Sequence, residues 1–224
     1  SKSLGNSPDP LDVIDQYGAD ALRFTIIYLA PLGQDVLFSV DKCEIGRNFA
    51  NKIWNAGRFL LMNAEQIKID FNLKYENLDL TDKWILSRLN EAIKEYETAL
   101  STFKINDASK IIYNFIWSDF CDWYIEFVKT RIQLTEDDNT KSAILSRAIF
   151  VYEEILKLLH PIMPFITEEI WQAISELKGE VADNEIKTIM NARFPQVENR
   201  WIDRDSEEKV ELLQELISSI RNIR

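Results

Sequence analysis

The chain opens on Ser1-Lys2-Ser3-Leu4-Gly5-Asn6-Ser7, one ammonium between hydroxyls followed by glycine and asparagine. Such a loop offers a positive charge and several donors to charge developing on a leaving pyrophosphate. From the residues alone the run reads equally as a solvated turn, and Lys2 is the candidate catalytic residue only if the loop serves that chemistry. A second constellation lies at residues 47–58, where Arg47, Asn48, Asn51, Lys52, Trp54, Asn55 and Arg58 fall close together. Guanidinium, carboxamide and indole groups hydrogen-bond the edges of unpaired bases and stack on their faces in single-stranded RNA loops. Lys129 and Arg131 add two cations suited to phosphates. Asp119 and Asp122 resemble paired carboxylates for acid–base work, but nothing near them in sequence supplies a substrate pocket, and they read as a polar helix edge. His160, the single histidine, precedes Pro161 and reads as an imidazole bonding free carbonyls at a helix end. Cys43 and Cys121 lie far apart without metal-ligand spacing, so no metal is expected.

These side chains need helices to present them. On a wheel of about 100° per residue, Gly46, Phe49, Ala50, Ile53, Gly57 and Leu60 gather on the core side of a helix over residues 43–63. Arg47, Asn51, Asn55 and Arg58 gather opposite, with Trp54 among them and Asn48 and Lys52 alongside. Three asparagines in eight residues are poor helix formers, and an indifferent surface more often carries Glu or Lys.

Further helices are expected over 11–18, ended by Gly18, and over 19–29. Longer ones are expected from Thr81 or Asp82 to about Phe103, from Asn106 or Asp107 to about Leu134, from Thr140 to about Leu159, and from Phe165 to about Leu177. Trp84, Ile85, Leu89, Ile93, Tyr96, Leu100 and Phe103 form one apolar stripe. Asp41 is a candidate cap for the 43–63 helix. Residues 34–39 read as a short extended segment, 180–185 as an acidic loop, 186–195 as a short strand, and 206–224 as an amphipathic helix. Long helices joined by short polar connections predict a mainly α fold, an antiparallel bundle preceded by a small mixed α/β segment.

The 46% hydrophobic and 28% charged fractions are those of a globular protein with a sizeable core. No apolar run reaches membrane-spanning length. Unpaired thiols suit a reducing cytoplasm. The net charge of −11 opposes indiscriminate nucleic-acid binding, yet a local basic and aromatic patch on an acidic protein remains compatible with RNA.

Several segments resemble one family in its own order. Ser1-Lys2-Ser3 looks like the end of the Lys-Met-Ser-Lys-Ser loop of class I aminoacyl-tRNA synthetases. Gly18-Ala19-Asp20-Ala21-Leu22-Arg23-Phe24 resembles the Asp-Ala-Leu-Arg element of their anticodon-binding domain. Trp117–Glu126 and Leu159–Trp171, the latter containing His160-Pro161-Ile162-Met163-Pro164-Phe165, resemble the third-helix and helix-break motifs of the valine, leucine and isoleucine enzymes. Gly33-Gln34-Asp35-Val36 and Arg47–Phe59 are most similar to the valine-specific members.

The resemblance implies three parts: residues 1–42 as the end of the catalytic loop and a stem-contact segment, 43–178 as an anticodon-binding bundle, and 179–224 as a connection and the start of a C-terminal linker helix. It implies a parent reaction in which valine and ATP, with Mg, give valyl-adenylate and then valyl-tRNA(Val), with Lys2 on the pyrophosphate side. The leading Lys and Met of the loop, a His-Ile-Gly-His-type element, the nucleotide-binding sheet and the editing domain are not in this sequence, so the fragment alone is expected to be inactive and to need no cofactor. The expected partners are tRNA(Val) and the catalytic, editing and C-terminal domains of the same parent; no membrane is expected. Two alternatives stay open, an isoleucine- or leucine-type fragment and a helical protein-interaction module without RNA contact.

Overall fold

The computed structural model describes residues 8–30, 33, 38–71, 78–179 and 188–223. Lys2 and its loop, Gln34-Asp35-Val36 and the acidic stretch 180–185 lie outside the described residues. Among the described residues the fold is helical: α1 (Pro10–Tyr17), α2 (Ala19–Leu29), α3 (Cys43–Ala64), α4 (Leu80–Ser101), α5 (Ile105–Asn114), a π-helical stretch Phe115–Tyr124, α6 (Ile125–Leu134), α7 (Asp138–Leu159), α8 (Pro164–Lys178) and α9 (Arg204–Ile223). The mainly α bundle is as expected. The strand anticipated at 186–195 is not formed within its described part, 188–195. A 3-10 turn, Ile189–Asn191, stands there instead, its first backbone groups tied to Thr188 and Glu168.

The helix ends follow local chemistry, with corrections to the expected caps. Asp9 caps α1 and Pro10 occupies its first turn, where a missing N–H costs nothing. Gly18, at φ 91, ends α1 and donates its N–H to Ile14 O at 2.8 Å. Asp79, not Thr81 or Asp82, caps α4, accepting from Asp82 N at 2.9 Å. Asp137 caps α7 through Thr140 N at 2.9 Å. Asp41 lies inside a 3-10 turn, Val40–Lys42, and caps nothing by side chain.

Helix α4 ends at Ser101, so Phe103 leaves the apolar stripe. It takes a left-handed φ of 58° in the α4–α5 turn, where Lys104 N bonds Ala99 O at 2.8 Å, and its ring is 79% exposed. Trp84, Ile85, Leu89, Ile93 and Tyr96 are buried as the stripe predicts.

One apolar core runs from Phe24 on α2 through Phe49 and Ile53 on α3, Leu89 and Ile93 on α4, Phe120 and Tyr124 on the π stretch, and Tyr152 and Ile155 on α7. Two glycines set how closely α3 approaches its neighbours. A Cβ on Gly46 would lie 2.2 Å from Ala21 O, and one on Gly57 would lie 2.8 Å from the Tyr152 hydroxyl. That hydroxyl donates to Ile53 O at 2.7 Å, so α3 and α7 are joined by a bond as well as by packing.

The π stretch changes the register of the third long helix. Burial recurs there at Ile116, Phe120 and Tyr124, a steady interval of four. The widened turn sends Asp119 toward α4, where Arg88 Nε donates to it at 2.9 Å, and Asp122 toward α3. The two carboxylates therefore serve different neighbours and form no acid–base pair. Burial raises the Asp119 pKa against the opposing pull of Arg88.

Residues 188–203 strap across the bundle. Glu198 N bonds Asn90 Oδ1 at 2.7 Å, and Trp201 packs edge-on to Phe150 at 5.6 Å between centroids. Helix α9 then docks on α4 through Asp203 N to Ser87 Oγ (3.1 Å), Ser87 Oγ to Glu207, and the buried Val210.

Candidate nucleic-acid interface

Helix α3 separates its faces as the wheel predicts. Gly46, Phe49, Ile53, Gly57 and Leu60 are buried and Ala50 is half-buried, while Arg47, Asn48, Asn51, Trp54, Asn55 and Arg58 are exposed. Trp54 is 45% exposed, an indole left open to solvent beside three carboxamides. Lys52 is half-buried at the edge of this face.

Beyond that edge lies a groove of about 530 Å³ between α3, the π stretch, α6 and the end of α9. Lys52, Asn55, Phe59, Trp123, Lys129 and Arg221 are among the residues that line it. The structure thus joins Lys129, distant in sequence, to the α3 set.

Four of the cations here rest on rings. Lys52 Nζ lies 4.2 Å from the Trp117 ring centroid, Lys129 Nζ 5.5 Å from Phe59, Arg221 5.6 Å from Trp123, and Arg47 5.6 Å from Tyr17. Three of them also meet a carboxylate. Lys52 bonds Asp122, Lys129 bonds Glu126 at 2.6 Å, and Arg47 bonds Glu44 at 3.2 Å. Arg58 forms no ion pair with the described residues. Arg221 and the rings of Phe59 and Trp123 escaped the sequence reading. The contribution of Arg221 depends on α9 folding back onto the bundle, which no local pattern in residues 206–224 specifies.

Arg131 does not join this set. Its guanidinium is committed to Asp79 Oδ2 (2.8 Å) and to both oxygens of Asp82 (2.8 and 3.1 Å). Asp82 also accepts from Arg147 at 3.0 Å and from the buried Tyr124 hydroxyl at 2.9 Å. This cluster locks α4, α6 and α7 together and commits the Arg131 guanidinium to carboxylates.

His160 bonds Thr167 rather than a free carbonyl, Nδ1 to Oγ1 at 2.7 Å. The Thr167 hydroxyl donates its one hydrogen to Met163 O at 2.7 Å, so the imidazole must donate through Nδ1–H. Burial lowers the His160 pKa, with Glu168 and Asp20 opposing. Cys121 lines the groove, but burial pushes its thiol up to about 12, which leaves it inert as a nucleophile. Both cysteines are free, and no cluster of metal-ligating side chains occurs among the described residues.

The sequence profile described as the anticodon-binding domain of tRNA ligase matches residues 82–224, and that of class I tRNA synthetases (I, L, M and V) matches residues 1–39. The chain is 45% identical to the valine–tRNA ligase of Chlorobaculum tepidum, over 100% of this chain and 25% of that protein. It is 46% identical to that of Fusobacterium nucleatum (100% and 25%) and 45% identical to that of Thermotoga maritima (100% and 24%). The chain therefore spans about a quarter of the length of the curated relatives it matches. The LeuRS of Agrobacterium radiobacter, solved as a ternary complex with tRNA and LeuAMS, shares the fold at a TM-score of 0.63 and 18% identity, over 91% of this chain and 22% of that one. With this profile match over residues 82–224, more than half of its length, the chain belongs to the family of anticodon-binding domains of tRNA ligases.

Proposed function

We propose that the chain recognises the anticodon arm of a valine tRNA on behalf of a valine–tRNA ligase. The observation that carries this reading is the exposed α3 face, where Arg47, Asn48, Asn51, Trp54, Asn55 and Arg58 stand together without being drawn into the core. Asn and Arg side chains supply donors and acceptors for base edges, and Trp54 offers a stacking surface. Lys52 and Lys129 hold flanking phosphates. The parent enzyme joins valine to tRNA(Val) with ATP and Mg, and Lys2 acts there on the pyrophosphate. In this reading residues 1–42 serve the catalytic side, 43–178 the anticodon, and 179–224 the connection onward, in the cytoplasm.

A second reading, a protein-interaction bundle without RNA contact, draws on the net charge of −11. Salt separates the two, because phosphate contacts weaken linearly on a log–log plot. The direct test is binding of valine tRNA transcripts with native and altered anticodons to the wild-type chain and to Arg47→Ala and Asn51→Ala. Loss of affinity on either change supports the α3 face. Affinity untouched by both substitutions removes it.

A further inference from the structure

We infer that Asp122 and Glu126 are specificity residues, acting as an electrostatic filter on the groove beside α3. This rests on the RNA-binding reading above and goes beyond it, because it gives a role to carboxylates where a phosphate site calls for cations.

The geometry is repeated. Lys52 is held by Asp122 while its ammonium covers the face of Trp117, and Lys129 is held by Glu126 while it covers Phe59. Asp122 and Glu126 lie one turn apart across the junction of the π stretch and α6, both half-exposed, and both line the same groove. The two cations that could grip a backbone are neutralised in place, and the two rings that could stack bases are lidded by them.

A ligand offering only phosphates must take each lysine from its carboxylate. It exchanges one solvent-screened ion pair for another and gains little. A ligand that also presents an unstacked base recovers more, because moving the lysine onto a phosphate uncovers a ring on which the base stacks. The carboxylates thereby suppress the sequence-blind part of RNA affinity and leave the base-dependent part. An acidic chain that must choose unpaired bases over the bare backbone of duplex RNA gains selectivity this way without adding a base contact.

The test is Asp122→Asn, Glu126→Gln and the double variant. Both side chains are half-exposed, so neither change opens the core. Binding of a native valine tRNA transcript and of a blunt RNA duplex without unpaired bases is measured over a range of KCl. The double variant is expected to bind the duplex about tenfold more tightly at low salt. Its log–log salt slope should steepen by roughly 0.7 to 0.9 per freed lysine. Affinity for the native transcript should rise less, so discrimination narrows. Unchanged affinity for both RNAs overturns the filter and leaves the ion pairs as surface fastenings. A fall in affinity for the native transcript alone also overturns it, since the carboxylates then accept from a base edge. If Arg47→Ala and Asn51→Ala are silent while the double variant behaves as expected, the α3 reading fails and the filter stands; if the wild-type chain binds neither RNA at any salt, both fall.

Discussion

Ile166 N–H donates to Asp20 Oδ2 at 2.7 Å across 146 residues of sequence. Phe165 N–H reaches the other oxygen at 3.3 Å, so Asp20 satisfies two backbone donors in the first turn of α8. Three residues on, Arg23 grips the same turn from its carbonyl side, Nε to Ile162 O at 3.0 Å and Nη2 to Pro161 O at 3.2 Å. The Asp-Ala-Leu-Arg element is thus a two-ended clamp on the α7–α8 break. It ties the segment that follows the opening loop to the far end of the bundle.

Removing the carboxylate should expose that dependence. Asp20→Ala leaves two N–H groups of the α8 first turn without their acceptor, at a cost of about 2 kcal/mol in urea unfolding. Asp20→Asn keeps one acceptor and should lose less. An Asp20→Ala chain as stable as wild type would show the clamp to be idle.

The Asp82 cluster separates stability from recognition. Asp82 is 1% exposed at the side chain and meets Arg131, Arg147 and Tyr124. Asp82→Ala strands the Arg147 guanidinium, leaves Arg131 with Asp79 alone and removes the acceptor of the buried Tyr124 hydroxyl, and should cost about 3–5 kcal/mol. Arg131→Ala should likewise lower stability while leaving the tRNA affinity of the folded chain unchanged. An Arg131→Ala protein that unfolds normally but loses RNA would return Arg131 to the binding set.

Phe103 offers a gain. A non-glycine residue in the left-handed region carries a steric cost of about 1–2 kcal/mol, partly offset by the greater chain entropy glycine loses on folding. With its ring exposed, little burial is lost on truncation. Phe103→Gly should therefore stabilise the chain by about 0.5–1 kcal/mol, a rise in Tm of roughly 2 °C. A fall in Tm would mean that the ring packs where the fold leaves it open.

His160 predicts the sign of a pH effect. Burial holds its folded pKa below the ordinary 6.5, so between those values the unfolded chain binds more protons than the folded one. The stability contribution is complete above pH 6.5 and shrinks as the pH falls toward the lowered folded value. His160→Asn, whose amide can stand in for the Nδ1–H donor, should flatten this slope between pH 5.5 and 7. As the single histidine, its titration can be followed directly by NMR. A folded pKa at or above 6.5 would reverse the expected slope.

The sequence by itself determined the helices, the two faces of α3 and the family motifs, because each depends on short-range periodicity and on residue types a few positions apart. Gly46, Phe49, Ile53 and Leu60 had to turn inward once residues 43–64 were helical, and that alone left Arg47, Asn51, Asn55 and Arg58 outside. Caps were less legible: Asp79, Thr81 and Asp82 all suit a helix start, and what distinguished them was that Asp82 is needed by Arg131 and Arg147. Phe103 kept the helical period in sequence but fell past the helix end, where φ rather than periodicity sets direction. Only the tertiary structure decided which cations are available. Arg131 and Lys129 lie two residues apart, yet one is locked onto Asp82 and the other lines the groove with Arg221 from the far end of the chain. Charge partners are chosen by packing across elements, and no local pattern encodes that choice.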